Sequence, residues 1–259
     1  MKTPDFMLPV NPEGLDDIAR ELLEPVKEEE KKDGAPAGID ANINKSDYIL
    51  IPTTNSVIAK QQSYSNLKWA DAIFKLNENK LFMPTIPLMM KHLENVIQAK
   101  EGKVKLYDAG GKEISKDETA KIYDSRTKSA NGIWTWLDAD FKVVDGKLNI
   151  NYNHKFVNNE LKPANSEQLL PCVMKDCYVD LTFNKQGLPI KESGTQSYLQ
   201  GKNINYWNPR SDNNSVARFW ASSDWANLYC NWNPDNSNAS LGVFACAEGA
   251  SAPKNGGSR

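Results

Sequence analysis

The chain has little histidine, little net charge and no long apolar run. His92 and His154 are its only two histidines, which leaves little room for histidine-based metal or triad chemistry. Its 31 lysines and arginines against 33 aspartates and glutamates leave a net charge of −2. That balance excludes a strongly basic nucleic-acid binder, and no nucleic-acid partner is expected. No apolar stretch approaches the roughly 18–20 residues that cross a bilayer, so no membrane span is expected. Met1–Val10 carries one lysine, two prolines and no apolar core. No secretory leader is expected, and the cytoplasm is the default compartment. What remains is a globular chain of 259 residues, long enough for one large domain or two small ones.

Cysteine is sparse as well. The four are Cys172, Cys177, Cys230 and Cys246, and with no secretory leader expected a disulfide framework is the weaker reading. Cys172-x4-Cys177 is one residue wider than most zinc knuckles, and Cys230 and Cys246 form no second close pair. Buried free thiols are favoured over a zinc site, with Cys230 and Cys246 expected in the core. A bridge between Cys172 and Cys177 across a short loop stays open. No metal and no cofactor are expected.

Along the chain, helical spacing comes first and strand patterning after it. Leu15, Ile18, Ala19, Leu22, Leu23 and Val26 predict an N-terminal helix near 13–25, which Pro25 kinks or stops. Gly34-Ala-Pro-Ala-Gly38 then breaks the chain. Tyr48–Pro52 reads as a short strand. A second helix is predicted over 65–77, burying Leu67, Ala70, Ile73 and Phe74. A third starts near Thr85, with Pro87 at an early helical position, and runs to about Lys100. Its apolar face is Leu88, Met89, Leu93, Val96 and Ile97, with His92 at its edge. Helical patterning ends near residue 100. Short strand-like runs follow at Lys103–Tyr107, Ile133–Leu137, Phe141–Val144, Lys147–Tyr152 and Tyr178–Phe183. Asp145-Gly146 is a hairpin signal, and Asn184–Gly187 a turn. Helices first and strands after predict an α+β protein, not a βαβ one.

The last third has a different composition. Residues 203–238 hold ten asparagines, four of the seven tryptophans lie between 207 and 232, and no lysine or arginine occurs from Phe219 to Ala247. Ala226, Leu228 and Cys230 alternate with Asn227, Tyr229 and Asn231, and Phe219 and Ala221 likewise frame Trp220. The first set is a narrow core stripe. The second is rich in Trp, Tyr, Asn, Ser and Asp, the composition of a paratope: flat aromatics for contact area, short polar groups for adaptable hydrogen bonds. A sheet buried on both faces is the competing reading, but Asp224, Asn231 and Asn233 are too polar to bury without partners.

Several motifs occur together in order: Trp136-Leu-Asp-Ala-Asp-Phe141, Asp145-Gly-Lys-Leu-Asn-Ile-Asn-Tyr152, Asp176-Cys-Tyr-Val-Asp-Leu181 and Asn184-Lys-Gln-Gly-Leu-Pro189. They are followed by Ser215-Val-Ala-Arg-Phe219, Ala226-x-Leu228-x-Cys230 and Leu241-Gly-Val-Phe-Ala-Cys246. Over about 133–248 this series resembles the variable proteins of diversity-generating retroelements, in particular the archaeal AvpA-like group. The resemblance is looser over 81–100 and does not reach the first 60 residues. It implies a C-type lectin fold used for display. In such systems an error-prone reverse transcriptase substitutes the adenines of a template repeat and writes the result into the 3′ end of the target gene. Asparagine codons, which begin with two adenines, then become Asp, Ser, Tyr, Gly or His codons, and Trp lies one adenine change from an AGG arginine codon.

The expected organisation is an N-terminal extension with a peripheral helix (1–62), a C-type lectin-like domain (63–248) carrying a variable region at about 218–240, and a flexible tail (249–259). Residues 220–238 supply the expected ligand-binding set: Trp220, Ser222, Asp224, Trp225, Asn227, Tyr229, Asn231, Trp232, Asn233, Asn236 and Asn238, all at least partly exposed. Trp207 and Tyr206 could border it. Replacing Trp220, Trp225, Tyr229 and Trp232 together by Ser is expected to leave the melting temperature nearly unchanged. The resemblance implies no catalysis and a variable ligand that is a protein or a cell-surface component, and it sets surface display beside the cytoplasmic default. Two other functions compete. A hydrolase would have to work through Asp224 and Asp235, eleven residues apart and with no further signal. A fixed-specificity lectin is disfavoured because Asn231-Trp-Asn-Pro-Asp235 only faintly resembles the Trp-Asn-Asp calcium motif and lacks its partner tripeptide.

Overall fold

A computed structural model describes residues 41–249. The predicted helix at 13–25 and all but the first residue of the 249–259 tail lie outside that range. Within it the protein is α+β, with three helices of ten residues or more and eleven strands.

The first two strands are β1 (Tyr48–Ile51) and β2 (Ser56–Ala59), which pair antiparallel. Helix α1 (Trp69–Glu78) follows, then α2 (Ile86–Lys100). The Thr85 hydroxyl accepts a hydrogen bond from the Leu88 amide at 3.4 Å, and Pro87 sits in the first turn, as the sequence predicts. Helix α1 begins four residues later than expected and buries Trp69, Ala72, Ile73 and Leu76. That is an i, i+3, i+4, i+7 stripe in a different phase from the expected one. Phe74 is therefore exposed, with its ring edge-on to Phe156 at 5.1 Å.

Helix α3 (Lys116–Thr127) was not anticipated, because it has almost no amphipathic pattern. Its start is nonetheless written in Ser115-Lys-Asp-Glu118: the Ser115 hydroxyl accepts from the Glu118 amide at 3.2 Å. Lys103–Tyr107 is no strand; it contributes only an isolated bridge from Tyr107 to Glu113.

The large sheet contains β3 (Ile133–Val144), β4 (Lys147–Val157), β5 (Glu160–Gln168), β6 (Cys177–Asp180), β7 (Asn203–Trp207), β8 (Ser215–Ala221) and β9 (Ala226–Trp232). Their spatial order is β5-β4-β3-β8-β9-β7-β6, with β10 (Leu241–Gly242) paired to β3. Ile133–Leu137 and Phe141–Val144 join into the single strand β3, with a register shift between Trp136 and Asp140. Asp145 and Gly146 both have positive φ, 50° and 73°, which turns β3 into β4 as a two-residue hairpin. Asn158 and Asn159 do the same between β4 and β5. The sheet is mixed and not purely antiparallel, because β7–β9 and β10–β3 are parallel pairs.

The expected 184–187 turn forms, with the Gly187 amide donating to the Asn184 carbonyl at 2.9 Å. Gly187 has φ +76°, and a Cβ there would stand 2.5 Å from the Pro87 nitrogen, so this turn is pressed against the start of α2.

β11 (Cys246–Glu248) pairs antiparallel with β2 and completes a three-stranded sheet, β1-β2-β11. Residues 48–59, assigned to the extension on sequence, are thus hydrogen-bonded to the end of the domain. Alternation deals residues to two cores. Ile49, Ile58, Leu137, Phe141, Ala217, Phe219, Leu228, Cys230, Phe244 and Cys246 meet α2 and α3 in one. Leu50, Val57, Trp136, Val216, Leu241, Val243 and Ala245 meet α1 in the other. Cys230 and Cys246 are fully buried as expected, and Cys172 and Cys177 are unbridged and half-buried.

Candidate functional site

The site is built on the face of β3, β8, β9 and β7 that turns away from α2 and α3. Register fixes its rows. Trp134 pairs with Trp220, Trp220 with Asn227 and Asn227 with Asn205; one step on, Trp136, Arg218, Tyr229 and Trp207 form a second row. Side chains of one strand separated by two residues share a face, so these eight lie on the same side. Trp136 runs under the second core, and the remaining aromatics form an open ledge. A bulge adds to it. Between Arg218–Tyr229 and Val216–Trp232, β8 advances two residues while β9 advances three. The extra residue brings Trp232 onto the face of Tyr229 despite its odd spacing.

The rings touch in a continuous series. Trp134 stacks on Trp220 with centroids 4.4 Å apart, and Trp207 on Tyr229 at 5.4 Å. Trp225 meets Trp220 edge-on at 5.9 Å, and Trp232 meets Tyr229 at 5.5 Å. Gly132 borders the stack with φ +62°, a conformation that side chains rarely adopt.

Arg218 lies beneath the rings, 1% exposed. Its guanidinium carbon is 3.1 Å from the Trp232 centroid, 3.7 Å from that of Trp134 and 4.4 Å from that of Tyr229. Burial lowers its pKa to about 9, so it keeps its charge at neutral pH. Its Nε, Nη1 and Nη2 have no hydrogen-bond partner among the described residues; neither do the indole N–H groups of Trp207, Trp220 and Trp232 or the Asn227 amide nitrogen. All seven of these buried groups are donors. A buried donor left unsatisfied costs about 1–3 kcal/mol, and native structures hold few of them.

The expected binding residues divide three ways. Trp220, Ser222, Tyr229, Asn231 and Trp232 are half-buried, while Asp224, Trp225, Asn233, Asn236 and Asn238 are exposed. Asn227 is buried at 1%, against expectation, because Trp220 and Asn205 flank it in register. Tyr206 is no border residue either; it points into the first core at 0% exposure. Ser222 to Trp225 form the β8–β9 turn, closed by the Ser222 amide on the Trp225 carbonyl at 2.8 Å. Asn233 and Asn238 serve their own loop: their side-chain oxygens accept from the Asp235 amide at 2.9 Å and the Ser240 amide at 3.0 Å. That loop is tied to the start of α1 through Pro234 and Trp69 and through Asp235 and Lys68.

Sequence reasoning missed Trp134 and Arg218. Trp134 sits two residues before Trp136 in a recognised strand, and Arg218 two residues before Trp220. The same alternation that selected Trp220 points to both.

A second polar cluster lies between β3 and β4. His154 Nδ1 is 2.5 Å from an Asp138 oxygen, and Nε2 is 3.5 Å from Asp140. Burial alone would lower the imidazole pKa, but hydrogen bonds and charge from Asp138 and Asp140 override it and raise the value to about 9. The side chains of His154 and Asp138 are 2% and 4% exposed, and Trp69 covers the ring edge-on at 4.9 Å. This is a closed ion pair inside the fold. His92, expected at a helix edge, is fully buried and accepts from Arg126 Nε at 3.3 Å; burial and the Arg126 charge hold it well below its usual pKa.

No family model matches the chain, and no curated protein or solved structure matches it. No helix among the described residues is long and apolar enough to cross a membrane.

Proposed function

We propose that this protein is a non-catalytic binding protein that displays a variable aromatic and polar face on a C-type lectin-like scaffold, as a target of retroelement-driven adenine mutagenesis. The carrying observation is the division within β8 and β9. Phe219, Ala221, Ala226, Leu228 and Cys230 are buried at 1% or less, while Trp220, Ser222, Asp224, Trp225, Tyr229, Asn231 and Trp232 reach the surface between them. A residue can change freely only where no close-packed neighbour depends on its shape. The division supplies such positions next to a fixed core. The aromatic ledge suits contact with a protein or a cell-surface component, since aromatics give large contact area at low entropic cost.

The test is genetic. Sequencing the 3′ end of the gene and its neighbourhood should find a non-coding near-repeat differing only at adenines of the template, beside a reverse-transcriptase gene. Differences should fall on the codons for the surface set and spare those for Leu228 and Cys230. A neighbourhood without such a repeat, or differences scattered over both faces, would overturn the reading.

A further inference from the structure

The seven buried donors on the aromatic face are the largest group of unpartnered polar atoms among the described residues; the others lie on His92, Asn95, Asp140 and Tyr206. They carry one formal positive charge, at Arg218, and no acceptor. Arg218 is also the only lysine or arginine from Ser211 to Ala247. Buried guanidinium groups ordinarily meet carboxylates or carbonyls in a planar fork. Here the group meets ring faces and the Tyr229 hydroxyl, and forms no ion pair among the described residues. Trp232 roofs it, yet the indole N–H of Trp232 is itself unpartnered and the ring is half-buried. No hydrogen bond holds that roof, only its packing on Arg218, Tyr229 and the second core; a ligand reaches the fork when the ring turns aside.

We infer that Arg218, beneath the Trp232 roof, is the anchor of a carboxylate-binding subsite that takes an aspartate or glutamate side chain of a protein partner. This rests on the binding-face reading and names the chemistry of what binds there. Charge favours a carboxylate. One guanidinium balances one negative charge, whereas a phosphate dianion would carry surplus charge past Asp224 on the adjoining turn. The surrounding rings accept the aliphatic stem of an acidic side chain, and the Asn and Ser residues at the rim can bond the backbone that carries it.

The test uses the full chain labelled with nitrogen-15 in arginine and tryptophan. The Arg218 Nε–H signal is assigned by its loss in Arg218→Gln, and the persisting Arg126 Nε–H signal reports that this variant is folded. Three probes are titrated at constant ionic strength: N-acetylglutamate N-methylamide, its neutral glutamine analogue, and inorganic phosphate. Such small probes bind at millimolar strength, so titration runs to the order of 100 mM. The glutamate probe should move the Arg218, Trp220 and Trp232 signals saturably and leave Arg126 still. The glutamine analogue should bind at least tenfold more weakly, and Arg218→Gln should weaken the glutamate probe by a similar factor. Trp232→Ser, which lifts the roof, should keep or strengthen the response. An Arg218 signal unmoved by the glutamate probe, or moved equally by both amides, would overturn the subsite. Tighter binding of phosphate would overturn its assignment to carboxylates. Neither result would touch the adenine-directed variation on which the display reading stands.

Discussion

Two arginines are buried to the same degree in this protein, and they are used in opposite ways. Arg126 and Arg218 are each 1% exposed, each lies over aromatic rings, and burial lowers each pKa to about 9. Arg126 gives its hydrogens to His92, Ser125 and the carbonyls of Ala59 and Lys60, at 2.8 to 3.3 Å. It thereby ties α3 to α2 and to the end of β2. Arg218 meets no carbonyl and no carboxylate among the described residues, only ring faces and the Tyr229 hydroxyl. A fold that satisfies one guanidinium four times over gives the other no carbonyl or carboxylate.

The largest expected effect on that contrast comes from the core side of β9. Leu228→Ala removes a fully buried side chain from the first core and should cost about 2–5 kcal/mol in denaturant melts. A cost under 1 kcal/mol would mean that the faces of β9 are assigned the wrong way round. Next comes the ion pair between β3 and β4. The folded pKa of His154 is raised, so its contribution is complete below pH 6.5 and is lost as the pH climbs through about 9. Stability should fall over that interval by on the order of 2 kcal/mol, and His154→Asn should flatten the slope. His92 has the opposite sign: its folded pKa is depressed, so it removes stability as the pH falls below 6.5. A His154→Asn protein with an unchanged alkaline slope would rule out the pair as its source.

The smallest effects belong to the aromatic face, and they are graded. Trp225 is 39% exposed, and Trp225→Ser should stay within about 0.5 kcal/mol of the parent. Trp232 packs against the second core and over Arg218, so Trp232→Ser should cost more than Trp225→Ser and less than Leu228→Ala. The fourfold Ser replacement expected from sequence to be silent is thus expected to be only mildly destabilising, because three of its four residues are half-buried. Thermal melts of the single variants check the order.

Much of this was legible in the sequence wherever one period dominates. Thr85 and Pro87 announce α2, Asp145-Gly146 announces the β3–β4 turn, and the alternation around Leu228 separates a core stripe from a surface set. Three things escaped. α3 has a serine N-cap but hardly any apolar stripe, so periodicity alone passes over it. Trp232 joins its face through a bulge, which breaks the two-residue count on which strand reading depends. Asn227 was placed outside by alternation, correctly as to side, but its neighbours Trp220 and Asn205 arrive from other strands and bury it. Side is a local property of the chain; depth depends on partners that local pattern does not name.

The contrast between the two arginines is tested most directly by replacing each with methionine, which keeps the length of the stem and removes the charge. Denaturant melts of Arg126→Met and Arg218→Met at pH 7 supply the comparison. Losing a buried, hydrogen-bonded charge should cost Arg126→Met about 3–5 kcal/mol, because His92 and two carbonyls lose their donor. Arg218→Met removes a buried charge that has no carbonyl or carboxylate partner, and gives up its ring contacts and the Tyr229 hydroxyl. Its stability should lie within about 1 kcal/mol of the parent, or above it. Equal and large losses in the two variants would contradict the account, since Arg218 would then be holding the fold together as Arg126 does.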